Sequence, residues 1–172
     1  MWIEKAPAEE DEKGLPDRQS LRLKGADYGA EGCYFVTIAC HGRRQRFGQV
    51  REGEMVLNAF GRVANEMFER LPQVAPQQVK VPVWIVMPDH VHALISLMEK
   101  DRTTLARTIG VYKSMVHRLC LQMAKERNLT LGTFWQRNYY EHIVRDMTEF
   151  HAFEAYIHEN PLRWAIKHSQ CM

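Results

Sequence analysis

A chain of 172 residues, 45% hydrophobic and 26% charged, has the length and make-up of one folded domain with a real core. A net charge of only +2, with eight histidines uncounted, excludes a bulk polycation, so any nucleic-acid contact must come from local basic clusters. Cys33, Cys40, Cys120 and Cys171 are scattered with no CxxC pair, which argues against a disulfide framework or a structural zinc knuckle and fits a reducing cytoplasm. No apolar run has the length to span a bilayer. The acidic segment 1–17 lacks the apolar core of a secretory signal.

Residues 1–20 read as a flexible polar arm and 21–172 as the folded domain. Cys33 to Cys40 is β-branched and aromatic, a strand. A basic loop, His41 to Arg46, follows, and then a turn at Arg51-Glu52-Gly53. Asn58 is placed to cap a helix to Leu71, with Phe60, Val63, Ala64, Met67, Phe68 and Leu71 at helical spacing and Pro72 and Pro76 to stop it. Val79–Met87 and His90–Leu97 read as strands joined by the tight Pro88-Asp89 connection, a hairpin. A long helix from Thr103 or Thr104 to Asn128 turns Leu105, Ile109, Tyr112, Val116, Leu119 and Met123 inward. Tyr139–Val144 reads as a strand. Thr148 then caps a last helix over Glu149–Glu159, ended by Pro161, with Met147, Phe150, Phe153 and Ile157 as its apolar stripe. The order strand, helix, strand, strand, helix, strand, helix predicts an α+β fold, a central antiparallel sheet with packed helices.

Three constellations carry chemistry. His90 and His92 flank one apolar residue inside a strand, so both imidazoles point to the same face and can close on one metal ion. The plain alternative is two strand histidines bonded to their neighbours, and the spacing alone names no metal. Tyr156 and Asn160 lie four residues apart off the stripe of the last helix, so a phenol and an amide share one face. The competing reading there is an edge-of-core tyrosine followed by a helix-ending Asn-Pro. The basic residues Arg43, Arg44 and Arg46, Lys113 with His117 and Arg118, and the run Trp135 to Tyr140 suit single-stranded nucleic acid, through phosphate contacts and base stacking. Solvated surface charge is the bland reading for any one of them.

The stretches Tyr34–Ile38, Val86–His92, Phe134–Arg137, Glu141–Asp146 and Tyr156–Pro161 stand in the order found in the REP-associated tyrosine transposases, single-tyrosine HUH enzymes of small bacterial insertion elements. The chain resembles that family over roughly residues 20 to 165. The resemblance implies an HUH endonuclease-like sandwich of ferredoxin or RRM type. It implies His90, His92 and Asn160 as ligands of a divalent metal, Mg2+ or Mn2+, and Tyr156 as the nucleophile that becomes a 5′-phosphotyrosine. The implied partner is a single-stranded DNA hairpin of a repetitive palindromic element, in the bacterial cytoplasm at the nucleoid and away from membranes, with a homodimer possible. Arg43, Arg44, Arg46, Lys113, Arg118, Arg137 and Arg145 are the expected DNA contacts, on weaker grounds because they are not motif positions.

One position departs from the family pattern. Asp89 stands where related proteins often carry Asn, and alternation along the strand predicts that its side chain shapes the turn and points away from both histidines. Tyr139 and Tyr140 are rival nucleophiles without the Tyr-x-x-x-Asn spacing. Two other classes compete: a non-catalytic DNA-hairpin-binding protein derived from such a transposase, and a zinc hydrolase drawing a third ligand from His117, His142 or His158.

Overall fold

The computed structural model describes residues 32–75, 79–97 and 105–169. The arm 1–20, the stop at Pro76, the helix start at Thr103 or Thr104 and Cys171 lie outside the described residues. The strands are β1 (Gly32–Ala39), β2 (Gly48–Arg51), β3 (Glu54–Leu57), β4 (Val79–Val86), β5 (His90–Leu97) and β6 (Tyr140–Val144). The helices are α1 (Ala59–Val74), α2 (Leu105–Glu126) and α3 (Met147–Ser169), with a short 3-10 turn at His41–Arg43. Four strands form an antiparallel sheet in the order β4-β5-β1-β6, and β2 and β3 make a separate hairpin. The expected α+β sandwich is therefore the observed one.

Strand alternation divides the sheet into two chemically different faces. Tyr34, Val36 and Ile38 of β1 and Val91, Ala93 and Ile95 of β5 point into the larger core, beneath α1 and α2. There Phe68 stacks on Tyr112 at 4.0 Å, and the Tyr112 hydroxyl donates to the Ala64 carbonyl at 3.0 Å, which locks the two helices together. Phe35, Val83 and Leu94 point to the other face, where Ile157, Phe150, Phe153 and Tyr156 of α3 cover them. The period of two places Thr37, His90 and His92 on that second face. A register shift between Lys80 and Val83 changes the face assignment along β4, so Val79 and Val81 join the first core while Val83 joins the second.

Several boundaries differ from expectation, each for a local reason. Asn58 caps α1 as read, accepting from the Gly61 N–H at 2.9 Å, but α1 runs through Pro72 to Val74. A proline in the last turn removes one backbone donor without breaking the turns before it. In α2 the inward stripe ends on Cys120 and Ala124, with Leu119 packed at its edge and Met123 turned off it, because a straight helix drifts around its axis over six turns. Gly48–Arg51 and Glu54–Leu57 pair into a hairpin that the element order had not counted.

The largest difference is in α3. Asp146 caps it instead of Thr148, accepting from the Glu149 N–H at 2.8 Å, and the helix continues past Pro161 to Ser169. Pro161 forfeits its bond to the Ile157 carbonyl, yet it is itself buried and Ile157 is packed on Phe35, Val83 and Leu94 of the sheet, and that burial outweighs the lost bond. Met147, placed in the stripe from its spacing, is exposed in the first turn.

Candidate active site

The site is built where β5 and β1 meet α3. Antiparallel register sets Thr37 opposite His92 and Ala39 opposite His90. The two imidazoles converge, with Nε2 atoms 3.0 Å apart. The far ring nitrogen of each is engaged: His90 Nδ1 lies 2.5 Å from Asp89 Oδ1, and His92 Nδ1 lies 2.8 Å from Thr37 Oγ1. The second Asp89 oxygen pairs with Arg43 Nε at 3.2 Å. Asp89 therefore touches His90 and does not point away from the pair. It sits at the turn, just ahead of the extended backbone, where strand alternation does not yet govern direction.

Burial disfavours the charged form of both rings. Burial pushes His90 below the usual histidine range, and the neighbouring carboxylate of Asp89 only partly opposes it. Burial pushes His92 further down, aided by His90 and Arg43. A neutral imidazole with one nitrogen tied to a partner and the other pointing at a shared focus is the arrangement a metal ligand needs.

Helix α3 closes the site from the same chain. The Tyr156 ring meets the His92 ring edge-on at a centroid distance of 5.4 Å, and Phe35, stacked on His92 at 5.3 Å, meets Tyr156 at 5.8 Å. Asn160, one turn on, is buried. Another turn on, the Trp164 ring lies 5.9 Å from His90. The Arg163 guanidinium lies 5.6 Å from the centre of the Tyr156 ring. Trp164 and Arg163 were missed in the sequence because the helix was ended at Pro161, and a helical stripe 156, 160, 164 carried past the proline would have found Trp164.

Among the described residues no group of three or more His, Cys, Asp or Glu is placed to hold a metal ion. Two imidazole nitrogens converge here, and with an amide oxygen and water such a set would suit Mg2+ or Mn2+. The hydrolase ligands do not assemble: His117 packs by Phe134, His142 bonds to Glu149 and His158 is exposed.

The basic residues separate into groups. Cys40 bridges to Trp135, and the Gln136 N–H donates to the Ala39 carbonyl at 2.9 Å, so the loops carrying Arg43, Arg44 and Arg137 flank the His90 end of the sheet. Arg46 donates to the carbonyls of Leu131 and Thr133, and the Lys113 ammonium donates to the carbonyls of Gln136, Arg137 and Asn138. Those two cations brace the loop from within. Arg118 lies on the exposed side of α2, alongside Arg107 and Ser114. Tyr139 is buried under Lys113, whereas Tyr140 is 49% exposed on the histidine face, opposite Thr37.

Arg145 is engaged in holding the start of α3. Glu149 accepts from the Arg145 N–H at 2.7 Å and from its guanidinium at 3.0 Å, and bonds to His142 at 2.9 Å. The Arg145 guanidinium first, then its backbone N–H, pull the Glu149 carboxyl from 4.5 to about 2. A folded value below the unfolded one stabilises fully above the unfolded value, and that contribution is lost as pH falls toward the folded one. Glu149→Gln should therefore lower the urea midpoint at neutral pH, and the gap to the parent should close as pH drops from 4.5 toward about 2. A gap that stays constant over that range would show that the carboxylate does not hold α3.

With this geometry in view, the relatives are informative. The family profile "Transposase IS200 like" matches residues 39–160, a span that includes the histidine pair, Tyr156 and Asn160. The chain belongs to this family. It is 33% identical over 169 residues to an uncharacterized protein of Haemophilus influenzae, covering 88% of this chain and 92% of that one. It is 26% identical over 141 residues to a putative REP-associated tyrosine transposase of the same organism, covering 80% of this chain and 74% of the relative. A solved REP-associated tyrosine transposase bound to a REP hairpin shares the fold, with a TM-score of 0.61 and 20% identity over 83% of this chain and 73% of that one.

Proposed function

We propose that this transposase cuts and rejoins single-stranded, hairpin-bearing DNA through a covalent phosphotyrosine on Tyr156. The observation that carries the reading is the Tyr156 ring packed edge-on to His92 within one chain, with Asn160 buried a turn beyond it. The Tyr156 oxygen attacks the phosphorus of the scissile linkage and forms a 5′-phosphotyrosine. The bond to the 3′-oxygen breaks, and the proton given up by the phenol is balanced by one taken up at the freed 3′-hydroxyl. One phosphodiester replaces another, so attack by a 3′-hydroxyl on the adduct rejoins the strand without ATP.

Phenols ionise near about pH 10, so the attack needs help at neutral pH. A divalent ion held by His90 Nε2, His92 Nε2 and the Asn160 amide oxygen would supply Lewis-acid polarisation of the scissile phosphate. Phe35 and His92, stacked on each other, both hold the Tyr156 ring by edge contacts, which restrict where its hydroxyl can reach. Arg43, Arg44 and Arg137, on the loops beside His90, are the cations placed to hold DNA phosphates near the cut. Hairpin DNA is favoured as substrate by the REP-associated relatives and by the fold shared with the hairpin-bound structure. One chain contributes tyrosine and histidines alike, so a single copy suffices for one cut.

The test is to incubate the protein with an end-labelled single-stranded hairpin and Mg2+ or Mn2+, and to map any denaturation-resistant adduct by mass spectrometry. The expected product is DNA linked to Tyr156. Hairpin binding with no adduct and no cleavage would favour the non-catalytic binding protein. An adduct on Tyr140 would reassign the nucleophile.

A further inference from the structure

The Pro88-Asp89 turn is held more firmly than a hairpin connection requires. The Cys40 N–H donates to the Asp89 carbonyl at 2.8 Å, and the Phe47 N–H donates to the Pro88 carbonyl at 3.0 Å. The Asp89 side chain, itself buried, then divides its two oxygens between His90 Nδ1 and Arg43 Nε. Arg43 reaches it from a left-handed backbone, φ 51°, just after Gly42 at φ 60°. An L-residue other than glycine is strained in that region, and it persists only where surrounding structure compels it. Here the Arg43 N–H donates to the Cys40 carbonyl at 3.1 Å, within the segment that also holds Asp89.

We propose that Asp89, clamped by Arg43, is a positioning residue that sets the tautomer and ring orientation of His90. The inference rests on reading His90 and His92 as the metal pair. A carboxylate only accepts, so His90 must carry its hydrogen on Nδ1, which leaves the Nε2 lone pair facing the His92 ring. His92 meets the Thr37 hydroxyl at Nδ1, and a hydroxyl can donate or accept, while the ring also bonds the Val36 backbone. The Asp89 carboxylate is thus the group that sets the His90 ring.

Aspartate does something here that asparagine cannot. An amide offers its oxygen to His90 but turns an NH2 group toward the Arg43 N–H, donor against donor. Asp89→Asn therefore separates the two contacts: it keeps the His90 bond and releases Arg43.

The test uses the full chain with 15N-labelled histidine. Imidazole 15N–1H correlation spectra of the metal-free protein report the tautomers, and calorimetry reports Mn2+ affinity. The parent should show His90 as the Nδ1–H form. Asp89→Ala should mix the His90 tautomers and weaken Mn2+ binding by about 10- to 100-fold, the usual cost of removing such a partner. Asp89→Asn should keep the His90 tautomer and stay within about threefold of the parent. Arg43→Gln, which releases the same contact and keeps the His90 bond, should behave as Asp89→Asn does. Should Asp89→Ala not fold, the Asn and Gln variants still decide. An unchanged His90 tautomer and Mn2+ affinity in Asp89→Ala overturns the proposal, and so does an Asn variant as impaired as the Ala one. A parent that binds no Mn2+ overturns the metal reading itself, whereas the His90 tautomer in the metal-free protein is read independently of it.

Discussion

Tyr156→Phe is expected to abolish cleavage of a hairpin-bearing single strand, by on the order of 10⁴-fold or more, because no other atom of the side chain can form the covalent bond. The variant removes one oxygen and keeps the ring. The contacts of that ring with Phe35 and His92 are made by its carbon face and edge, and they survive the change. Stability should shift by no more than about 0.5 kcal/mol, and hairpin affinity should stay near the parent's. Gel assays of cleavage beside a binding titration separate the two. Cutting that persists in this variant removes Tyr156 from the mechanism. Tyr140→Phe is the necessary companion, since Tyr140 lies exposed on the same sheet face, and it should cut normally.

Loss of a histidine is the second large effect. His92→Gln should reduce metal-dependent cleavage by about 100-fold or more and weaken Mn2+ binding by at least as much as loss of an outer partner does. Glutamine is preferable to alanine here. The His92 ring is stacked on Phe35, met edge-on by Tyr156 and bonded to Thr37, so truncation to alanine would open a cavity costing about 3 kcal/mol. A fold defect would then imitate a metal defect. With glutamine filling most of that space, circular dichroism melts should stay close to the parent's while activity falls. Activity that is unchanged at limiting Mg2+ would exclude His92 as a ligand.

The two predictions depend on different kinds of information. That His90 and His92 share a face follows from the two-residue period of a strand, which is local and needs no knowledge of what lies opposite. Four of the strands and all three helices were legible for the same reason, since hydrophobic periodicity records which side of each element is buried. The hairpin of β2 and β3 was less legible, because four-residue strands carry too few alternations to register. The end of α3 was misread because proline is a strong local signal against helix, and packing against the sheet overrode it.

The basic residues show the same division. From sequence, Lys113 and Arg46 looked like Arg44 and Arg137, because a cation's neighbours along the chain do not reveal whether it meets solvent or a carbonyl. Only the folded chain places Lys113 against three backbone carbonyls of a loop more than twenty residues away and leaves Arg44 and Arg137 exposed. Asp89 was misdirected by extending strand alternation one residue into a turn.

By itself the sequence determined the family, the α+β order of elements, the shared face of His90 and His92, and the shared face of Tyr156 and Asn160. All of these are written in spacing along one element or in ordered motifs. The tertiary structure decided that the two faces meet, that they meet within one chain, and that Asp89, Thr37 and Trp164 join them. Those outcomes depend on sheet register and on the docking of α3, contacts between residues 51 or more positions apart, which local periodicity cannot encode.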